Sequence, residues 1–365
     1  MKYKLTKTIY GFWESRRYTD KYIFYVDNKY NARCLNKDTL ECIWTYENVY
    51  NGFINNEMIV VELKSSKVLL YSLIEKRIMQ IIDGKLNSSV GKFGLNYYYG
   101  NTDKIDDEIG LITQYDLNTN QILKKQSSKY PVVLLIDDFT YLTLTHSENN
   151  KWEHHAIAKI NFCNDSVFWK FKISDLGPYM DWDYLNPPVW EKRKWYNMYY
   201  MDGMVFLSVS KGVVALDAET GKQLWWVDFN TTETSTLRFD IDPYYLSFAD
   251  SKIYIRDWGQ FVSIDMKTGE ILMRKKYIGF KVGDEIVNNT MTSGIKIHNG
   301  KGYFVLDVQA ELYLTSLDLK TGEVKIETEL PDVKDQVRAE NIHFEGNRLY
   351  LRDNASFLYV YEVTD

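Results

Sequence analysis

The residues of this 365-residue chain that are best suited to chemistry are few and scattered. His154 and His155 are adjacent, just after Trp152 and Glu153. A zinc site needs imidazoles on one face together with a third ligand. Neighbouring strand residues face opposite ways, so this pair reads as a solvated loop before a strand. His146, His298 and His343 stand alone, and no spacing sets up a Ser-His-Asp or Cys-His arrangement. Asp240 and Asp242 flank Ile241 just before Pro243. Paired carboxylates can do acid–base work, but an isolated i, i+2 pair at a strand end reads as turn-capping or solvated. The acidic run from Asn101 to Glu108 lacks the glycine and closing glutamate of a calcium loop. It reads as a solvated hairpin tip. Cys34, Cys42 and Cys163 are odd in number and form no CxxC pair, so free thiols are expected. No catalytic residue, metal ligand or cofactor site is expected from these groups.

A better candidate for a working surface is the stretch from Asp175 to Tyr196, which holds three of the six prolines and three of the ten tryptophans. Pro187-Pro188 forbids a central strand, so the stretch is expected to be a loop between repeats on one face of the fold. Exposed Trp, Tyr and Arg are the usual anchors of protein interfaces, and loops on a rigid scaffold carry function. Tyr179, Trp182, Asp183, Tyr184, Trp190, Arg193 and Trp195 are therefore the expected partner-binding residues. The competing expectation is that these rings fold back and fill the gap between neighbouring sheets.

The elements that would hold such a loop follow from a repeat. Gly212 to Trp226 reads as a strand, a tight turn at Asp217-Ala218-Glu219-Thr220-Gly221, and a return strand. Asp217 can accept bonds from the backbone ahead, and Gly221 can take a positive φ. The unit recurs with anchors at Asn36, Ile74, Asp116, Asn161, Asp217, Asp265 and Asp318, about every 47 residues. The copy at Ile74 has lost its turn carboxylate, and Asn120 stands for the glycine in the third copy. Two further strands usually precede each hairpin, which gives four strands per repeat. After the seventh copy, Asn341–Phe344, Arg348–Arg352 and Phe357–Val363 give three more strands and lack a fourth. The orphan strand Lys2–Tyr10 can supply it, since an open ring would leave bare sheet edges. The expectation is an all-β, eight-bladed β-propeller forming a single domain over residues 1–365, with the last blade closed by the N-terminal strand. Seven blades is the alternative count.

The pattern ALDxxTGxxxW resembles the repeat of the PQQ-like β-propeller superfamily. Ala215-Leu216-Asp217, Thr220-Gly221 and Trp225 match it best. Ser263-Ile264-Asp265 with Thr268-Gly269, and Ser316-Leu317-Asp318 with Thr321-Gly322, come next. The resemblance implies that the Trp packs on a neighbouring blade and that the Asp and Thr-Gly shape the turn. The quinoprotein dehydrogenases of that superfamily carry an adjacent Cys-Cys pair, which this chain lacks, so neither a quinone nor any other cofactor is expected. The resemblance is to the non-catalytic branch.

Composition bounds the partners. The chain is 45% apolar and 15% aromatic, ample for a large core of strands. Its net charge of −6 argues against nucleic acid, because phosphate binding needs a basic surface. No window approaches the roughly 18 apolar residues that span a bilayer, so no membrane partner is expected. The start has neither an apolar h-region nor a lipobox cysteine, which gives the expectation of a cytoplasmic protein, and a composition rich in Lys, Asn, Ile and Tyr gives the expectation of a bacterial source. The expected function is non-catalytic binding of a protein on one propeller face. Its most specific form by analogy is an immunity protein that neutralises a toxin. The alternatives are an enzyme, a hydrolase or lyase with its site at the propeller axis, and a carbohydrate-binding propeller.

Overall fold

A computed structural model describes the chain apart from residues 1, 11–13, 56, 84–91, 94–96, 105–109, 117–118, 120, 129–132, 148–149, 182–188, 231–240, 258–259, 278–279, 283–284, 288–293, 309–310, 339–340 and 365. Eight four-stranded antiparallel sheets follow one another along the chain, the eight blades of an all-β propeller. Blades 1 to 8 span residues 14–46, 49–83, 92–128, 134–172, 195–228, 247–276, 296–329 and 342–364. Blade 8 takes its fourth strand from Lys2–Tyr10, which pairs with Phe357–Thr364. Thr6 Oγ1 adds a bond to Val360 O at 2.9 Å. The longest described helical element is a 3₁₀ turn at Ile173–Leu176, and no described helix is long and apolar enough to cross a membrane.

The chain forms two compact units, Tyr10–Lys170, and Met1–Ile9 with Phe171–Asp365. In the second unit the middle strands of blade 5 are buried over nearly their whole length. Met204–Val209 and Gly212–Asp217 are apolar runs covered on both sides, whereas the outer strand Gln223–Asp228 mixes exposed and buried positions. Stacking of sheet on sheet explains the difference, since a strand covered on both faces has no polar side to present. Phe206, Val213, Ala215 and Trp225 of blade 5 share one core with Ile253, Ile255, Val262 and Ile264 of blade 6. In the first unit, Phe24 and Cys34 of blade 1 pack with Ile59, Val61 and Leu69 of blade 2.

The repeated turn is built as its residues require. Asp217 Oδ1 accepts the Glu219 N–H (3.1 Å), the Thr220 N–H (2.7 Å) and the Thr220 hydroxyl (2.7 Å). Gly221 N–H closes the turn on Asp217 O at 2.8 Å, with φ +68°. Asp265, Asp318 and Asn36 accept the same pair of backbone bonds. The second repeat corrects the expected register. Ser72, not Ile74, occupies the anchor, because Ser72 pairs with Met58 as Asp217 pairs with Met204. Ser72 Oγ accepts the Glu75 N–H at 3.2 Å, and Lys76 carries the positive φ. The turn needs an acceptor oxygen at its start, and a hydroxyl supplies one as well as a carboxylate does. Asn120 of the third copy lies outside the described residues, while Asp116 Oδ1 accepts the Thr119 N–H at 3.3 Å.

Trp225 ties blade 5 to the turn of blade 6. Its indole N–H donates to Met266 O at 3.1 Å, and its ring covers Gly269 so closely that a Cβ there would lie 2.7 Å from Trp225 Cδ2. Gly269 has φ +74°, as does Gly300 within a few degrees, but Gly300 has nothing within 4 Å of an added Cβ. Gly300→Ala therefore reports the backbone cost alone, about 1 kcal/mol. Gly269→Ala is expected to lose about 1–3 kcal/mol more by overpacking against the indole, measured as the difference between the two variants in thermal unfolding. Equal losses would show that the Trp225 contact carries no strain.

Candidate functional site

The stretch that interrupts the repeat between blades 4 and 5 is an ordered hairpin at its base. After the 3₁₀ turn at Ile173–Leu176, Gly177 takes φ +76° and redirects the chain. Tyr179–Asp181 then pairs antiparallel with Val189–Glu191. Trp182, Asp183 and Tyr184, together with Pro187-Pro188, lie outside the described residues. The two short strands form their own two-stranded sheet, separate from the four-stranded blades.

The expected partner-binding residues divide by burial. Trp190 and its neighbour Val189 are each 57% exposed, and Trp195 is half-buried. Tyr179 and Arg193 are buried. The Arg193 guanidinium donates to Gly177 O (3.1 Å), Ser210 O (2.6 Å) and Asp228 Oδ2 (2.6 Å). It lies over the Trp226 ring at 4.8 Å and the Tyr179 ring at 5.8 Å. Tyr179 in turn donates its hydroxyl to Glu191 Oε2 at 3.2 Å. Arg193 thus fastens the base of the hairpin to the turn and outer strand of blade 5. Its burial lowers its pKa, and the Asp228 carboxylate opposes that shift. The sequence placed Tyr179 and Arg193 with the exposed anchors, whereas their side chains face inward and position the strand that displays Trp190.

Next to this hairpin lies a polar cluster that sequence reasoning assembled only in part. Asp242 Oδ1 accepts the Tyr196 hydroxyl at 2.9 Å, and Asp242 Oδ2 accepts Lys211 Nζ at 2.6 Å. The Tyr196 hydroxyl also meets Ser210 Oγ at 3.2 Å. The Tyr196 and Tyr244 rings are 4.3 Å apart, and Tyr244 is 40% exposed. Asp242's own N–H donates to Asp257 Oδ2 at 3.0 Å. Desolvation and the Asp242 charge push the pKa of the Tyr196 phenol up. Asp240, the other half of the suspected carboxylate pair, lies outside the described residues. The carboxylate that Asp242 meets is instead Asp257, fifteen residues on. Asp242 is bonded to a tyrosine and a lysine, so it braces a loop.

The result is a braced rim. Arg193, Ser210, Lys211, Asp228 and Asp242 are linked by hydrogen bonds and ion pairs, and Trp190, Val189 and Tyr244 are exposed. Among the described residues no group of three or more His, Cys, Asp or Glu is placed to hold a metal ion. His146 and His154 are register partners in blade 4, and His298 stacks on Phe344 at 4.6 Å in the second unit.

Residues 164–361 match the family of the outer membrane protein assembly factor BamB. The fold is similar to the crystal structure of BamB from Moraxella catarrhalis, with TM-score 0.59 and 12% identity, over 99% of each chain. It is also similar to Sqt1 from Saccharomyces cerevisiae, with TM-score 0.61 and 10% identity, over 94% of this chain and 93% of that one. A europium-containing methanol dehydrogenase has TM-score 0.58 and 10% identity, over 99% and 93%. No curated protein matches the sequence.

Proposed function

Because the chain belongs to the PQQ-like β-propeller superfamily, through the BamB-type family matched over residues 164–361, we propose that it is a non-catalytic propeller that binds a protein. The partner docks on the rim formed by the 179–191 hairpin and the 241–246 segment. The observation that carries this reading is the contrast at the hairpin. An arginine with its side chain 1% exposed is spent on holding a strand whose outward residues are Val189 and Trp190. An exposed tryptophan on a strand held by a buried, hydrogen-bonded arginine is a usual composition of an interface anchor. The family and its non-catalytic members support protein binding as the class of activity.

The more specific form of the proposal is an immunity protein that neutralises a toxin. The net charge of −6 suits a basic partner and would speed its encounter electrostatically. Affinity capture from the source cells with the wild-type chain and with Trp190→Ala tests the docking site. Trp190→Ala is expected to weaken the captured complex at least about tenfold while leaving the melting temperature unchanged. Undiminished binding would exclude the hairpin as the docking site. Co-expression with the captured partner tests the immunity reading, since a toxin would arrest cells that lack this chain and spare those that have it.

A further inference from the structure

Asp257 sits at the end of the strand Lys252–Asp257, directly beneath the 241–246 segment, and is 2% exposed. One carboxylate oxygen accepts the Asp242 N–H at 3.0 Å. The other, Oδ1, is buried and has no hydrogen-bond partner among the described residues. An ionised carboxylate in that position is a buried charge with a single hydrogen-bond donor, which is costly, whereas a neutral carboxyl buries no charge. We propose that Asp257 is a proton-operated latch that holds the 241–246 segment down when protonated and lets it lift when ionised. The latch regulates the docking rim of the protein-binding reading, because Asp242 and Tyr244 both ride on that segment.

The charged groups facing Asp257 come from three sides. The segment above supplies the Asp242 carboxylate, a like charge, and the Tyr244 phenol. The turn after Met204–Val209 supplies Lys211, whose ammonium is bound to Asp242 at 2.6 Å. Its own strand supplies Arg256, whose guanidinium lies over the Phe304 ring at 3.6 Å. Burial, with the Asp242 charge, outweighs the Asp242 N–H bond and the two cations and pushes Asp257 up to about 7. The sign follows from linkage. An acid whose folded pKa is raised contributes stability that is complete below its unfolded value near 4 and is lost as the pH rises through about 7. Loss of that proton to solvent leaves two adjacent carboxylates. Hydrating Asp257 relieves them, and the segment that covers it must move to admit water.

Hydrogen exchange tests the latch without any partner. The Asp242 amide, which donates to Asp257, is followed at pH 6 and pH 8 after correction for the intrinsic rate. Its protection is expected to fall by up to about tenfold over this range, and Asp257→Asn is expected to remove the pH dependence. Asp242→Asn, which deletes the like charge, is expected to move the midpoint to lower pH if Asp257→Asn proves poorly folded. Equal protection at both pH values, or an unchanged pH dependence in Asp257→Asn, would overturn the latch. A flat profile would leave the docking rim intact, whereas undiminished binding by Trp190→Ala would remove the rim and leave the latch.

Discussion

Trp225→Ala is expected to destabilise the second unit by about 3–5 kcal/mol, the largest loss from any single side chain in the repeat turns. Three contributions act together. The indole is 8% exposed in the core shared by blades 5 and 6, so its removal leaves a cavity between them. Its N–H donates to Met266 O across the blades, and that carbonyl would lose its partner. Its ring also covers Gly269 and packs at 6.0 Å from Phe206. Trp225→Phe keeps most of the packing and drops the hydrogen bond, so it is expected to lose about 1–2 kcal/mol. Urea unfolding of the two variants separates packing from hydrogen bonding. Faster exchange at 265–269 in Trp225→Ala would place the damage in the neighbouring blade. A loss below 1 kcal/mol in Trp225→Ala would mean that blades 5 and 6 are joined by their middle strands alone.

The same tryptophan marks how far the sequence could be read. The turn chemistry is local: an acceptor side chain, two backbone donors and a positive φ lie within five residues, so Asp217, Asp265 and Asp318 are visible directly. The N-terminal strand was legible because blade 8 is one strand short without it. The anchor fell at Ile74 because Ser72-Leu73 match Ala215-Leu216 in sequence, whereas the strand register puts Ser72, whose hydroxyl does the work, in the Asp217 place. The wedge position is less uniform than the turn. Trp44 and Trp225 fill it in blades 1 and 5, but register places Gln80 there in blade 2 and Met273 in blade 6. Met273 still packs against Gly322 of the next turn, so a flexible thioether replaces the indole without any repeat signature in the sequence.

The docking rim was half legible for a different reason. Proline and tryptophan mark the interruption of the repeat, and exposure of Trp190 follows. Nothing local distinguishes Arg193 from a surface arginine. Its partners lie 16 residues back at Gly177, 17 on at Ser210 and 35 on at Asp228. Asp242 likewise meets Tyr196 across 46 residues and Lys211 across 31. Charges become structural here only because blade geometry brings a loop, a turn and an outer strand together, which periodicity cannot reveal.

Arg193→Ala is expected to cost about 3–5 kcal/mol, because it removes one partner of a buried charge network and not the whole network. Gly177 O and Ser210 O lose their donor, Asp228 loses its cation, and the space between Trp226 and Tyr179 empties. Asp228 is 38% exposed and can turn to water, so the two carbonyls and the cavity carry most of the loss. Arg193→Lys keeps the charge but cannot fork to three acceptors, and it is expected to recover less than half of the stability. Thermal unfolding gives the magnitude, and hydrogen exchange over 173–195 locates it. Partner binding should fall as well, although Arg193 itself is buried, because the strand that carries Trp190 loses its fastening. The two variants therefore part company in a useful way. Trp190→Ala should lose binding at full stability, and Arg193→Ala should lose both. If Arg193→Ala melted like the wild type and still exposed 173–195 to exchange, the hairpin would be a separately folding lid. If it melted like the wild type with full protection, Trp226 and Tyr179 alone would hold the hairpin, and the buried arginine would be dispensable.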